Sequence, residues 1–224
     1  YLLDPTESGY ELSRISAKYL GEAKLGTEAI FGLYPVLSKQ LNDEGMTELL
    51  EKIELPLCEV IAHMEQKGFA VDRQALSDYG KQLSVGIDAV QAEIWALAGE
   101  VFNINSPKQL GEILFEKLML PSGKKTKTGW STNSDVLDSL RGKHEIIDKI
   151  TDYRQLTKLK STYADGLIKV IGKDGRIHTS FQMTVTATGR LSSTEPNLQN
   201  IPVRTPLGAE LRKMFVASRG NVLV

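Results

Sequence analysis

The sequence holds a single cysteine, Cys58, which excludes an intramolecular disulfide and a cysteine-built zinc cluster and fits a reducing compartment. Long apolar runs are missing as well: Ile30-Phe31-Gly32-Leu33-Tyr34 is among the longest and falls far short of a membrane span, so no membrane partner is expected. There is no internal repeat and no low-complexity tract. The opening Tyr1-Leu2-Leu3-Asp4 has neither a basic leader nor a small-residue cleavage site, so no targeting peptide is expected and the expected location is cytoplasmic. His63, His144 and His178 lack the mutual spacing of metal ligands. No Asp-x-Asp pair occurs beyond residue 100, where a two-metal centre would need one.

What is present is enough apolar material for a core. Of 224 residues, 41% are hydrophobic and 25% charged, which suits a folded chain of one or two domains. The net charge of -1 conceals a segregation. Residues 1–100 carry 8 Lys and Arg against 17 Asp and Glu, and residues 101–224 carry 19 against 11. A basic portion beside an acidic one points to a polyanion as the partner of the second, the plain alternative being chance segregation of solvated charge.

Periodicity predicts a mainly α chain with a small β portion, an α+β fold. Residues 1–54 read as short helices. Leu57, Ile61 and Met64 then mark a helix from Pro56 that stops at Lys67-Gly68, with Cys58 as a small core residue. Asp72 opens a long helix through Leu76, Leu83, Ile87, Val90, Ile94 and Leu97, ending at Gly99. Ser106-Pro107 caps a short helix, and the basic stretch at 124–129 reads as an exposed loop. Thr132 and Asp135 resemble a weakened capping box. A second long helix is predicted over 145–170, able to pack antiparallel on the first. Alternation from Ile177 to Val185 predicts a half-buried strand, 186–206 reads as a polar ordered loop, and Val222-Leu223-Val224 reads as the start of a strand.

Two surfaces suit nucleic acid. Arg154, Lys158, Ser161 and Thr162 stand at i, i+4, i+7 and i+8 of a helix, a donor stripe matched to phosphate oxygens or, more plainly, a solvated face. In the segment from Thr186 to Pro202, Gly189 permits a close backbone approach and Arg190 supplies a permanent charge. Asn197, Gln199 and Asn200 carry the donors that read minor-groove acceptors without regard to sequence, although such side chains also serve to satisfy turns. The lysines at 124, 125 and 127 are a further cationic group, of the kind that also serves solubility.

Thr186-Ala187-Thr188-Gly189-Arg190-Leu191-Ser192-Ser193, followed by Pro196-Asn197-Leu198-Gln199-Asn200-Ile201-Pro202, resembles the segment that precedes the catalytic strand in bacterial family A DNA polymerases. Phe102-Asn103-Ile104-Asn105-Ser106-Pro107-Lys108-Gln109-Leu110 and Tyr153-Arg154-Gln155-Leu156-Thr157-Lys158-Leu159-Lys160-Ser161-Thr162-Tyr163 resemble the same family. The resemblance implies that 1–54 is the end of a 3'-5' exonuclease-type domain, 55–175 the helical thumb with its long helix pair, and 176–224 the start of the palm. It implies a DNA-directed DNA polymerase, a nucleotidyltransferase of replication and repair that extends primers with dNTPs on duplex primer-template DNA, as a monomer and with Mg2+. By this resemblance Arg190 meets the minor groove at the primer terminus, with Asn197, Gln199 and Asn200 near the two strands. Arg154, Lys158, Ser161 and Thr162 lie on the primer backbone, and Asn105, Lys124, Lys125 and Lys127 complete the DNA-binding set. The sequence stops before the family's metal-binding aspartates, so this portion alone is expected to bind no metal and to be inactive. Met183 stands where the family has glutamine. The rival reading is a non-catalytic helical DNA-binding or clamp-like module.

Overall fold

The computed structural model describes residues 1–121, the backbone of 125 and 126, and residues 129–203, 205–218 and 220–222. These form two compact units, Tyr1–Phe69 with Arg176–Asn200, and Ala70–Gly175 with Ile201–Val224.

In the first unit the helix Leu12–Leu20 stops at Gly21, and the helix Gly26–Asp43 follows. At 18 residues the latter is longer than the short helices expected here, and it carries Pro35 in its interior. Between them the buried Ser16 satisfies itself on one turn, accepting from the Lys24 N–H at 2.7 Å and donating to the Lys24 carbonyl at 3.1 Å. A third helical run begins at Thr47, passes through a wide turn at Leu50–Glu54 and continues over Leu55–Lys67. Pro56 therefore sits inside a run rather than at its start. It has no N–H to give, which suits the switch of hydrogen-bond pattern just before it. Cys58 is exposed, contrary to the expected core position, and lines an apolar cavity of about 310 Å³ with Leu37, Leu41 and Met183.

The run ends at Gly68, whose φ of 59° and whose contact with the chain both require glycine: a Cβ there would lie 2.7 Å from the Ile177 carbonyl. The expected strand is present in two pieces, Arg176–Ile177 and Ser180–Gln182, with Ile177 and Thr179 buried. Ser180–Gln182 pairs antiparallel with Ser192–Thr194, placing Phe181 opposite Ser193. Part of the predicted polar loop is thus a strand, invisible to periodicity because its residues are Ser, Ser and Thr.

In the second unit Asp72 caps the helix Arg73–Ala98 by accepting from the Ala75 N–H at 2.9 Å. Ser106 caps Pro107–Gly111, which runs into a second wide turn at Glu112–Lys117. The predicted capping box is displaced by one residue: Asn133, and not Thr132, accepts from the Val136 N–H at 3.0 Å to open Ser134–Ser139. The backbone at Lys125–Thr126 pairs with Gly129–Trp130, a short antiparallel ladder where a plain loop was expected. Trp130 packs on Phe115 with ring centroids 5.0 Å apart.

The second long helix runs as Ile146–Lys158, a wide turn at Leu159–Ala164, and Asp165–Val170. It lies antiparallel to Arg73–Ala98. Lys149 pairs with Glu93, a Cβ on Gly86 would lie 3.6 Å from Leu156, and one on Gly80 would lie 3.5 Å from Ala164. Six residue steps from Gly80 to Gly86 thus lie opposite eight from Leu156 to Ala164, and the extra residue of the wide turn, with the reach of the Leu156 side chain, takes up part of the difference. Ile94, Ala98, Leu110, Leu114, Ile146, Ile147 and Ile150 form the apolar centre of the unit. At the far end of the chain Thr205 caps Pro206–Arg212, which Tyr79 holds by donating to the Leu207 carbonyl at 2.8 Å. Val222 is exposed and in no strand, and the remainder of that expected strand lies outside the described residues.

Candidate nucleic-acid interface

The predicted donor stripe of the second unit divides into residues the fold has engaged and residues it has left available. Arg154 Nη1 donates to the Thr132 carbonyl at 2.5 Å and Nη2 to the Thr132 hydroxyl at 3.2 Å. Burial pulls its guanidinium below the ordinary arginine range. One turn on, Lys158 is exposed and makes no ion pair among the described residues. Ser161 is exposed and donates to the Thr157 carbonyl at 2.8 Å, and Thr162 is exposed beside it. Both belong to the wide turn Leu159–Ala164. An extra residue in a turn rotates the later side chains by about 100°, so the four side chains lie on a bent line rather than the straight ridge that 3.6-residue spacing suggests.

Asn105 belongs to the same neighbourhood. Its Nδ2 donates to the Tyr153 hydroxyl at 3.1 Å, and Tyr153 precedes Arg154. The structure therefore brings together Asn105, Thr132, Tyr153 and Arg154, with Lys158 a turn away. Thr132 was missed as a site residue. Its signal, a threonine before the Asn133 cap, is indistinguishable in sequence from an ordinary helix entry. The side chains of Lys124, Lys125 and Lys127 lie outside the described residues. Several other cations of this unit are paired, among them Arg141 with Asp138 at 2.8 Å, Lys160 with Asp165 at 2.5 Å and Lys213 with Glu210 at 2.5 Å, whereas Lys143, Lys169 and Lys173, like Lys158, make no ion pair among the described residues.

In the first unit the segment after Thr186 is built around a buried hydroxyl pair. Ser193, fully buried, has its Oγ 2.6 Å from Thr179 Oγ1 and accepts from the Leu198 N–H at 3.1 Å. Thr179 Oγ1 lies 2.8 Å from the Pro196 carbonyl. These bonds satisfy polar groups that burial would otherwise penalise, and they hold the chain from 192 to 198 in one shape. Gly189, at φ 72°, turns the chain ahead of Arg190. Arg190 is exposed, and no partner holds its guanidinium among the described residues. Asn197 is exposed and accepts from the Gln199 N–H at 3.0 Å. Gln199 uses both ends of its amide inside the segment, and Asn200 is exposed.

Among the described residues no three His, Cys, Asp or Glu side chains gather to hold a metal ion, so these residues do not fit a metal centre. No helix among them is long and apolar enough to cross a membrane. What the two units offer is exposed cations and amides on a rigid backbone, suited to a charged polymer of regular shape.

DNA polymerase I of Caldicellulosiruptor bescii is 48% identical over all of this chain and 28% of its own length. DNA polymerase I of Geobacillus stearothermophilus is 41% identical over all of this chain and 29% of its own, and the thermostable DNA polymerase I of Thermus thermophilus 45% over all and 28%. The chain thus spans less than a third of the length of these relatives. Among solved structures, the POL domain of Pol1 from M. smegmatis, in complex with DNA primer-template and dNTP, matches 98% of this chain and 40% of its own, at 38% identity and a TM-score of 0.86. The family model of DNA polymerase family A matches residues 73–224, which include the long helix pair and the whole segment from Thr186 to Pro206. With more than half of its residues matched by that model and full-length likeness to such relatives, this chain belongs to DNA polymerase family A.

Proposed function

We propose that this chain holds duplex primer-template DNA for a DNA-directed DNA polymerase that extends primers with dNTPs in replication and repair. The observation that carries the reading is its likeness, over 98% of its length, to a polymerase domain solved with DNA primer-template and dNTP. In this reading residues 1–54 close an exonuclease-type domain, 55–175 form the thumb and 176–224 begin the palm. The pair of long helices within 55–175 supports the assignment.

Lys158, Ser161 and Thr162 present donors to the primer backbone, as does Arg154 with the N–H groups that Thr132 leaves free, and Asn105 stands beside them. The lysines at 124, 125 and 127 extend the cationic surface. Arg190 and the amides of Asn197 and Asn200 meet the minor groove, where every correctly paired base presents acceptors in similar places. Family A polymerases depend on divalent metal ions. We assign Mg2+ to the whole protein, acting on the triphosphate, and a cytoplasmic, monomeric state.

The test is fluorescence anisotropy of a labelled primer-template duplex with this chain across a salt series. Binding is expected to be equal for unrelated sequences and to weaken steeply with salt. Binding confined to one sequence, or none at low salt, refutes the proposal. In the full-length polymerase, Arg190→Ala is expected to reduce primer extension strongly, and normal extension overturns that residue's role.

A further inference from the structure

Gln199 stands among side chains suited to reading bases, yet its amide is occupied at both ends. Its Oε1 accepts the Ser193 N–H at 3.1 Å, and its Nε2 donates to the Leu191 carbonyl at 2.9 Å. In an extended chain the carbonyl of one residue and the N–H two residues on point to the same edge. Leu191 and Ser193 have that relation. Because Ser193 gives its N–H to Gln199, the edge concerned is the one turned away from Ser180–Gln182. A primary amide offers an acceptor and a donor side by side, as a peptide group does. The side chain of Gln199 therefore stands where a third strand would.

Gln199 is itself held. Its N–H donates to Asn197 Oδ1 at 3.0 Å, and the preceding Leu198 N–H donates to the buried Ser193 hydroxyl at 3.1 Å. The residue tied at Leu191 directly follows Arg190. The Arg190 carbonyl in turn accepts from Thr186 Oγ1 at 2.6 Å. The backbone carrying Arg190 is thus anchored at its own carbonyl and at the next one, while its guanidinium projects without a partner among the described residues.

The geometry points to Gln199 as a positioning residue: a side-chain strand partner that fixes the backbone of Arg190, in place of a reader of base edges. This rests on the reading of Arg190 as a minor-groove contact.

Two measurements on the whole chain test it. Amide hydrogen exchange at Ser193 is expected to be about tenfold faster or more in Gln199→Leu, because its acceptor is gone, and unchanged exchange overturns the clamp. Duplex binding is then measured in double-mutant cycles. Gln199→Leu is expected to weaken binding about fivefold in the otherwise unaltered chain and by less than about twofold in the Arg190→Ala background. In the Lys158→Ala background, on the other unit, the full effect of about fivefold is expected, which a general loss of fold would not give. Equal weakening with and without Arg190 means that Gln199 touches DNA independently, and overturns the proposal. If Arg190→Ala leaves duplex binding unchanged, the role of Arg190 and its coupling to Gln199 both fall, and the exchange measurement alone decides the clamp. Gln199→Met, similar in length and without the amide, repeats both measurements should the leucine variant not fold.

Discussion

Arg154 is joined to Thr132 twice, at the carbonyl and at the hydroxyl, and Thr132 is only 5% exposed. The side chain is therefore part of the fold before it meets any ligand. Replacing it with alanine strands two buried acceptors, which costs about 1–3 kcal/mol of stability. Lys158→Ala, at an exposed site, is expected to change stability by no more than about 0.5 kcal/mol. Urea denaturation of the two variants checks this, and equal midpoints would show that the Thr132 bonds contribute nothing.

The same two positions separate in binding. Lys158→Ala should weaken duplex affinity alike for unrelated sequences and lower the slope of log affinity against log salt by about one. A loss restricted to one sequence, or an unchanged slope, contradicts phosphate contact.

Two glycines give opposite stability outcomes. A Cβ on Gly80, within the helix Arg73–Ala98, meets Ala164 Cβ at 3.5 Å, an ordinary contact, so Gly80→Ala is expected to stabilise by about 0.5–1 kcal/mol. A Cβ on Gly208 would lie 2.4 Å from the Pro202 carbonyl oxygen, and Gly208→Ala is expected to destabilise by about 1–3 kcal/mol. Thermal melting of both variants measures the signs directly.

Asp4 offers a pH test. The ammonium of Lys18, then the Thr6 hydroxyl, hold its carboxyl at about 2, against an ordinary 3.8. Its folded-state value is depressed, so the stability it contributes is present above pH 3.8 and is lost as the pH falls from there towards 2. Lys18→Met is expected to return the titration of Asp4, followed by carboxyl NMR, towards 3.8. A midpoint still near 2 would assign the effect elsewhere.

Local signals were legible in the sequence and tertiary ones were not. The caps at Asp72 and Ser106 and the stops at Gly68 and Gly99 each depend on neighbours within a few residues, and each stands where its chemistry puts it. The antiparallel helix pair was legible because apolar spacing survives over many turns. Cys58 was misjudged because Leu57 and Ile61 beside it are apolar, although it is exposed and lines a cavity instead of a packed core. The bond from Arg154 to Thr132 spans 22 positions, and no pattern in the residues between announces it. Gln199 has the composition of a base reader, and only the path of the strand at Leu191 and Ser193 shows its amide already in use. The wide turns were invisible for a related reason: counting by 3.6 assumes a regular helix throughout.

The unequal spans across the helix pair act as a vernier. Gly80 meets Ala164 and Gly86 meets Leu156 at the same setting only because one rod has a coarser pitch between those marks than the other. Sliding either rod by one residue spoils both coincidences together. The pair therefore has a single notch, set by the two glycines at which the rods come closest to touching.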